Sequence, residues 1–457
     1  MRTKKKMRRP HVVVIPYPEQ GHVLPLMILS QYLAKHGIQI TFINTEHNNA
    51  RIIDSMNENR YSLGDRIRLV SIPDGLEDSP EDRNIPGKLS ESVLRLMPAK
   101  VEELIEKMVT VGSKRGSDSI SCVLADQSIG WALEVAAKFG IKRAAFCPAA
   151  AASMVLGLSI QKLVEDGVID LDGNPKVDKR IRLSPGMPEM ETSKFVWVCL
   201  KNKHSQSNIF QLLLRNSKSL VLADWLLCNS VYELESAAFG MGPHIKPIGP
   251  ISSTHSVEED ATSAGSFWAE DRECLDWLDR EEPGSVIYVA FGSFGLMGRS
   301  QLVELAMGLE LTHRPVLWVT GCDQTEELAV TRAKVVRWAP QREVLGHRAI
   351  GCFVSHCGWN STMEGTANGV PFLCRPVFAD QFINMTYICD EWKTGLAFER
   401  GMVSRSEVKK KVDEVMGNGM YKKRAMEVKE IAMKSFGEGG KSRENLNNFV
   451  AWIKECT

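Results

Sequence analysis

Strand-length apolar runs and helix-spaced apolar positions alternate along this chain. Residues 11–17 (HVVVIPY) form a continuous apolar run, residues 23–36 place apolar side chains at helical spacing, and residues 38–43 form a second run. Strand, helix and strand in that order predict a βαβ unit. The rhythm returns at residues 121–126 (SCVLAD), an apolar strand closing on a carboxylate, and at 129–139, a helix stopped by Gly140. Over residues 250–265 (PISSTHSVEEDATSAG) periodicity gives way to small, polar and acidic side chains, the composition of a linker. Beyond it, strands at 285–291 and 316–319 flank a helix at 301–311. Such alternation implies parallel sheets covered by helices on both faces, so the predicted fold class is α/β. The expected organisation is a basic tail over 1–10, a domain over 11–249, a linker over 250–265, a second domain over 266–435 and a C-terminal helix over 436–457. Ligands of open parallel sheets bind beyond the carboxyl ends of the strands, so two such domains would face each other across a cleft.

Composition narrows the function classes. A chain of 457 residues is too long for one core, which agrees with two domains. Lysine plus arginine equals aspartate plus glutamate at 56 each, so net charge supplies no pull toward nucleic acid or anionic membrane. The basic start MRTKKKMRRP is read as a disordered, solvated tail, because the apolar stretch after it is too short for a signal peptide and no aromatic-interleaved basic surface accompanies it. No nucleic-acid partner is expected. No apolar run reaches the roughly 18–20 residues of a spanning helix, so no transmembrane segment is expected. The 11 cysteines are an odd number without any CxxC spacing, which fits free thiols in a reducing cytosol and a cytoplasmic, monomeric protein. Neither half carries GxGxxG after its first strand, which argues against a dinucleotide oxidoreductase.

The densest chemistry lies in residues 338–381, WAPQREVLGHRAIGCFVSHCGWNSTMEGTANGVPFLCRPVFADQ. CFVSHCG reads as a strand entering a glycine turn, after which Asn360, Ser361 and Thr362 open a helix. A helix N-terminus presents unpaired N–H donors and partial positive charge, so with His356, Asn360 and Ser361 it suits a diphosphate without a metal ion. Trp338 offers a flat face for a base, Glu364 can accept from ribose hydroxyls, and Asp380 with Gln381 can pair with a sugar ring. Taken singly, each residue has an ordinary reading: a core tryptophan, a satisfied histidine, a helix cap. Taken together, in this order and spacing, they describe a nucleotide-sugar site.

This 44-residue stretch resembles the signature box of plant secondary-product UDP-glycosyltransferases, family 1 of the glycosyltransferases. The resemblance extends through PYPEQGHVLPL near the start, PGMP at 185–188, CNSVYELE at 228–235 and VIYVAFGS at 286–293. It implies the GT-B fold, two Rossmann-like domains facing across a cleft, with the acceptor on the first and the UDP-sugar on the second. It also implies that the C-terminal helix crosses back onto the first domain. Carried over residue by residue, Trp338 would stack on uracil and Ala339 pair with it through backbone, while Gln341 and Glu364 would hold ribose. Ser293, His356, Asn360 and Ser361 would meet the phosphates, with Gly21 also at the donor. Trp359, Asp380 and Gln381 would read the sugar, and the terminal Gln381 is the residue of glucose-using members. UDP-glucose is thus the expected co-substrate, and no cofactor or metal is expected. Arg375, Val377 and Met385 stand where similar proteins often carry a tryptophan, an aromatic and a small residue.

Transfer from UDP to an alcohol needs a group that removes the acceptor's proton, and histidine suits this near neutral pH. His22 follows Gly21 at the carboxyl end of the first strand, and Asp126 ends another strand of the same sheet. The resemblance makes them base and partner, in a single in-line displacement giving a β-glucoside. Asp126 can also cap the next helix, and the two roles are compatible. Segments 147–157 and 185–200 are small or apolar with aromatic interruptions. They suggest an acceptor pocket including Ala150, Met154, Met187, Phe195 and Trp197, with Glu19 and Phe378 added from elsewhere, although core packing explains the two segments as well. A small lipophilic acceptor is expected, a flavonoid or other phenolic, with terpenoids and steroids as the alternative. A non-catalytic UDP-sugar sensor is the competing function class. Glu19 stands where similar proteins have a small residue. Turned toward the cleft it would raise the pKa of His22 and disfavour phenolates; turned to water it would do little.

Overall fold

The structure, a computed structural model, describes residues 9–59, 61–76, 82–83, 85, 87–115, 119–200, 202–254, 265–293, 297–321, 330–399 and 401–455. Most of the expected basic tail and of the expected linker lies outside the described residues. Strands β1 (His11–Ile15), β2 (Gln39–Thr45), β3 (Ile67–Ile72), β4 (Cys122–Asp126), β5 (Lys142–Cys147), β6 (Arg180–Ile181), β7 (Met190–Glu191), β8 (Trp225–Cys228) and β9 (Ile245–Pro247) belong to the first half. Strands β10 (Val286–Ala290), β11 (Val316–Val319), β12 (Ala333–Val336), β13 (Ile350–Ser355), β14 (Phe372–Cys374) and β15 (Gly395–Ala397) belong to the second. The first sheet runs β3-β2-β1-β4-β5-β8-β9 and the second β12-β11-β10-β13-β14-β15, while β6 and β7 form a separate hairpin. Both large sheets are parallel throughout.

The continuous apolar runs are the mark of strands covered on both faces. In β1, Val13 and Ile15 enter one core, and Val12 and Val14 enter another on the opposite face. Strand order reverses between β1 and β4 in the first sheet and between β10 and β13 in the second, and there a crevice opens beyond the strand ends. His22 follows β1 and Asp126 closes β4; Ser293 follows β10 and His356 follows β13. The C-terminal helix Lys441–Glu455 returns to the first sheet. Leu446, Phe449, Val450 and Ile453 join the core of Val12 and Val14, and Asn445 Nδ2 donates to the Pro247 carbonyl at 2.9 Å. No helix among the described residues is long and apolar enough to cross a membrane.

The helix expected over 23–36 begins earlier, as Gln20–Lys35. Its first turn carries polar side chains directed at the cleft, so the apolar period that marks the buried stripe starts only at Val23. Pro25 lies inside this helix and has no N–H to give to the carbonyl four residues back, which is that of Gly21.

The helix Ala151–Leu158 shows how distant residues complete local structure. Its N-cap is Ala150, which has no side-chain acceptor. Glu235, from the CNSVYELE segment, supplies one: its buried carboxylate accepts from the N–H of Ala151 at 2.8 Å and of Ala152 at 3.0 Å, and from the Ser230 hydroxyl. Truncating Glu235 to alanine leaves two buried N–H groups and the Ser230 hydroxyl without this acceptor, so we expect a loss of about 2–4 kcal/mol in urea unfolding. An unchanged midpoint would show that the cap is dispensable.

Candidate active site

A cleft of about 1510 Å³ runs between the two halves, lined by residues from 19 to 433. On the first half, His22 Nδ1 lies 2.8 Å from Asp126 Oδ2. Asp126 Oδ1 accepts from the Ser128 N–H at 2.8 Å, so this carboxylate both orients the histidine and caps the following turn. With Nδ1–H held by Asp126, Nε2 is the ring nitrogen left to accept a proton. Burial alone would lower the His22 pKa. Attraction and hydrogen bonding to Asp126, followed by the charges of Glu19 and Asp380, outweigh burial and lift it to about 9. Glu19 is therefore a cleft residue: half-buried, on the cleft wall and close enough to act on His22. Burial raises its own carboxyl pKa and the charge of His22 opposes that rise.

On the second half, helix Trp359–Asn368 begins at Gly358 and points its N-terminus into the cleft. His356, Asn360 and Ser361 surround that end, with Ser293 across from them. Gly292 and Gly358 pack against the His356 ring so closely that a Cβ would sit 2.7 Å and 2.4 Å from Nε2. Burial pushes His356 down to about 4, the Ala290 backbone opposing slightly, so at neutral pH this ring is uncharged. The charge stabilisation available to a phosphate here comes from N–H donors and the helix dipole.

Trp338 lines the cleft, and its ring meets Trp268 at 4.6 Å between centroids; the Arg51 guanidinium lies 4.3 Å from the Trp268 ring. Gln341 Nε2 donates to Glu364 Oε2 at 2.7 Å and to Ser361 Oγ at 2.9 Å, and Tyr288 OH donates to Gln341 Oε1 at 3.2 Å. Burial lifts the Glu364 carboxyl to about 7 against the Gln341 hydrogen bond, leaving a group that can donate or accept toward a diol. Ala339 lies on the same wall. Trp359 departs from its expected use, because its indole N–H donates to the Asn229 carbonyl at 2.7 Å. Its side-chain donor is occupied between the two halves, and the ring itself is buried, 6.3 Å from that of Trp392. Gln381 Oε1 accepts from the Val377 and Phe378 N–H groups at 2.7 and 3.1 Å, so its amide nitrogen is the part left for the cleft. Asp380 is oriented by Asn384 Nδ2 at 2.9 Å.

The acceptor wall differs from expectation. Ala150, Met154, Met187, Phe195 and Trp197 are core residues, each at most 2% exposed. Trp197 donates its indole N–H to the Gly173 carbonyl at 2.7 Å and packs on Phe195 and Phe210. Their chain neighbours Ala149, Ser153 and Val196 face the cleft instead, with Gln127, Ser128, Pro148, Leu213 and Phe378. Side chains next to each other on a turn point in different directions, so composition found the segment and missed the residues. Ser153 Oγ, sealed from solvent, makes no hydrogen bond among the described residues. The carbonyl four residues before it, that of Ala149, accepts from the Cys147 and Cys228 thiols at 3.3 and 3.4 Å. Arg375, Val377 and Met385 do not line the cleft; Arg375 donates to Gln301 Oε1 and to the Gly401 carbonyl. Asn229, Asn384 and Tyr288 were missed by sequence reasoning because each acts through a cleft residue.

A solved structure of a UDP-glucose: anthocyanidin 3-O-glucosyltransferase in complex with UDP superposes with a TM-score of 0.81, at 25% identity, over 98% of this chain and 100% of that one. The two facing parallel sheets and the cleft between them thus define a glycosyltransferase of the GT-B class. Residues 271–438 match the family of UDP-glucoronosyl and UDP-glucosyl transferases. Over 99% of its length the chain is 70% identical to UDP-glycosyltransferase 83A1 of Arabidopsis thaliana, covering 98% of it. It is 32% identical over 96% of its length to 7-deoxyloganetin glucosyltransferase of Gardenia jasminoides, covering 97% of that protein. The chain belongs to the plant UDP-glycosyltransferases, family 1 of the glycosyltransferases, whose members join sugars from UDP-sugars to small molecules.

The charges around His22 give a direct expectation. Its ring protons should titrate near pH 9 by NMR, above the ordinary 6.5, and Glu19→Gln should move the midpoint down, because it removes a negative charge that favours imidazolium. A wild-type midpoint at or below 6.5 would refute the arrangement of charges.

Proposed function

We propose that this protein transfers glucose from UDP-glucose, with inversion, to a hydroxyl of a small lipophilic acceptor, a flavonoid or another phenolic. The observation that carries the reading is the His22–Asp126 pair at 2.8 Å, set on the cleft shared with the N-terminus of helix Trp359–Asn368. In this reading His22 Nε2 takes the acceptor's proton as the hydroxyl oxygen attacks the anomeric carbon from the face opposite UDP. Asp126 stabilises the imidazolium that forms. The negative charge gathering on UDP is met by the N–H groups at the helix end, with His356, Asn360, Ser361 and Ser293. Trp338, Ala339, Gln341 and Glu364 hold the nucleoside, and Trp359, Asp380 and Gln381 hold the sugar. The reaction requires no metal and no organic cofactor. Two glucosyltransferases among the proteins matched above support the donor, and the cleft's Pro148, Ala149, Val196, Leu213 and Phe378 support an apolar acceptor.

The test incubates the purified protein with UDP-glucose and a panel of phenolic, terpenoid and steroid alcohols, and identifies products by mass, with and without a chelator. Phenolic β-glucosides at the same rate in both arms are expected. Product from terpenoids or steroids alone would reassign the acceptor, nucleotide binding without product would indicate a sensor, and reversible loss of rate with the chelator would refute metal independence. His22→Ala should lose roughly two to four orders of magnitude in kcat with UDP affinity little changed, since a general base acts in the chemical step. With its pKa lifted to about 9, His22 is mostly protonated at pH 7. The rate should therefore rise with pH into the alkaline range, and Glu19→Gln should move this acid limb to lower pH. An acid limb that stays in place would leave Glu19 without a catalytic influence.

A further inference from the structure

We infer that Asn360 is a positioning residue that fastens the helix bearing His22 to the diphosphate-binding helix, and that Pro25 creates the attachment point. The inference rests on His22 as the base.

Within helix Gln20–Lys35, the Gly21 carbonyl would ordinarily accept from the N–H four residues on. That position is Pro25, which has no N–H. The Gly21 carbonyl is thereby withheld from the i to i+4 ladder of its own helix, at an exposed position on the cleft wall where a donor from elsewhere can reach it. Asn360 Nδ2 fills the vacancy from the opposite half of the molecule, donating at 2.7 Å across 339 residues of chain. The residue before it is held in the same way: Gln20 Oε1, buried, accepts from the Phe267 N–H at 2.8 Å. The residue after it is His22, held by Asp126. Three consecutive residues of one helical turn are thus fixed by three separate parts of the chain, two of them in the second half.

An amide nitrogen carries two N–H groups. Asn360 gives one to Gly21, leaving the other for the leaving group at the N-terminus of its own helix, in whose first turn it lies. One planar side chain then sets the distance between the base and the diphosphate, which in an in-line displacement sets the distance from base to anomeric carbon. Displacement of a reacting group by about 1 Å is enough to cost roughly 10²-fold in rate. A Cβ at position 21 would stand 3.9 Å from Asn360 Nδ2, an ordinary contact distance, so the attachment needs the carbonyl and not the absence of a side chain.

The test is a double-mutant cycle at saturating donor and acceptor, with UDP affinity measured by calorimetry. Asn360→Ala should lower kcat about 10- to 100-fold in the wild type. In a His22→Ala background it should lower the residual kcat by less than about threefold, because there is no base left to position. Pro25→Ala, which does not touch the donor, restores an N–H that competes for the Gly21 carbonyl. It should lower kcat about 3- to 10-fold with UDP affinity within about twofold of wild type. Asn360 acting on the diphosphate alone would give the same factor in both backgrounds, or a raised donor KM with kcat intact, and either result overturns the inference. A His22→Ala variant with full turnover would remove the base itself, and the positioning role with it.

Discussion

Two side chains 104 residues apart are hydrogen-bonded here because β1 and β4 are neighbours at the point where the strand order reverses. Loops leaving neighbouring strands in opposite directions open a crevice, and whatever ends those strands must face into it. Asp126 is the last residue of β4, and His22 lies in the first turn of the helix after β1. The same construction occurs in the second sheet, where β10 and β13 deliver Ser293 and His356 to the opposite wall. Everything else in the cleft is arranged around these two crevices facing one another.

The walls differ in their electrostatics. Around His22 stand Asp126, Glu19 and Asp380, and together they keep the imidazole protonated well above its ordinary range. At the N-terminus of helix Trp359–Asn368 the His356 imidazole is kept neutral by burial. A cation at the donor wall would bind the UDP product as firmly as the substrate. Donors fixed at a helix end lose no reorganisation energy when charge builds up on the leaving group. In the proposed reaction the anionic first wall favours a proton on His22 after it has been taken from the acceptor. The same charge makes the neutral base scarce beforehand.

Several side chains in and just after the nucleotide-sugar box hold the two halves together. The Trp359 indole reaches Asn229, the Trp392 indole reaches the Leu234 carbonyl at 3.1 Å, and Asn360 reaches Gly21. A buried indole N–H needs a partner, and here the partner is backbone of the other sheet's loops. Residues assigned to the donor in the proposed reading thereby also set the spacing of the cleft. Substitutions in the box therefore act on domain geometry as well as on binding.

The sequence by itself determined the α/β class, the two sheets, the order of the elements and most of the cleft's chemistry. Those features are local: apolar runs bury on two faces of a strand, helical spacing marks a stripe, and a strand, a glycine turn and a polar helix start make an anion site within a few residues. Strand edges moved by at most two positions, and the helix of His22 began before its apolar period because its first turn serves the cleft and not the core. Only the tertiary structure decided which way neighbouring side chains point. Ala149, Ser153 and Val196 face the cleft while Ala150, Met154 and Trp197 are core, a choice made by packing against Glu235, Gly173 and Phe210 from distant segments. Glu19 was legible as a departure, and its direction was not. Pairings across hundreds of residues, such as Asn360 with Gly21, leave no periodic trace in the chain, because they arise only when two independently folded sheets are brought face to face.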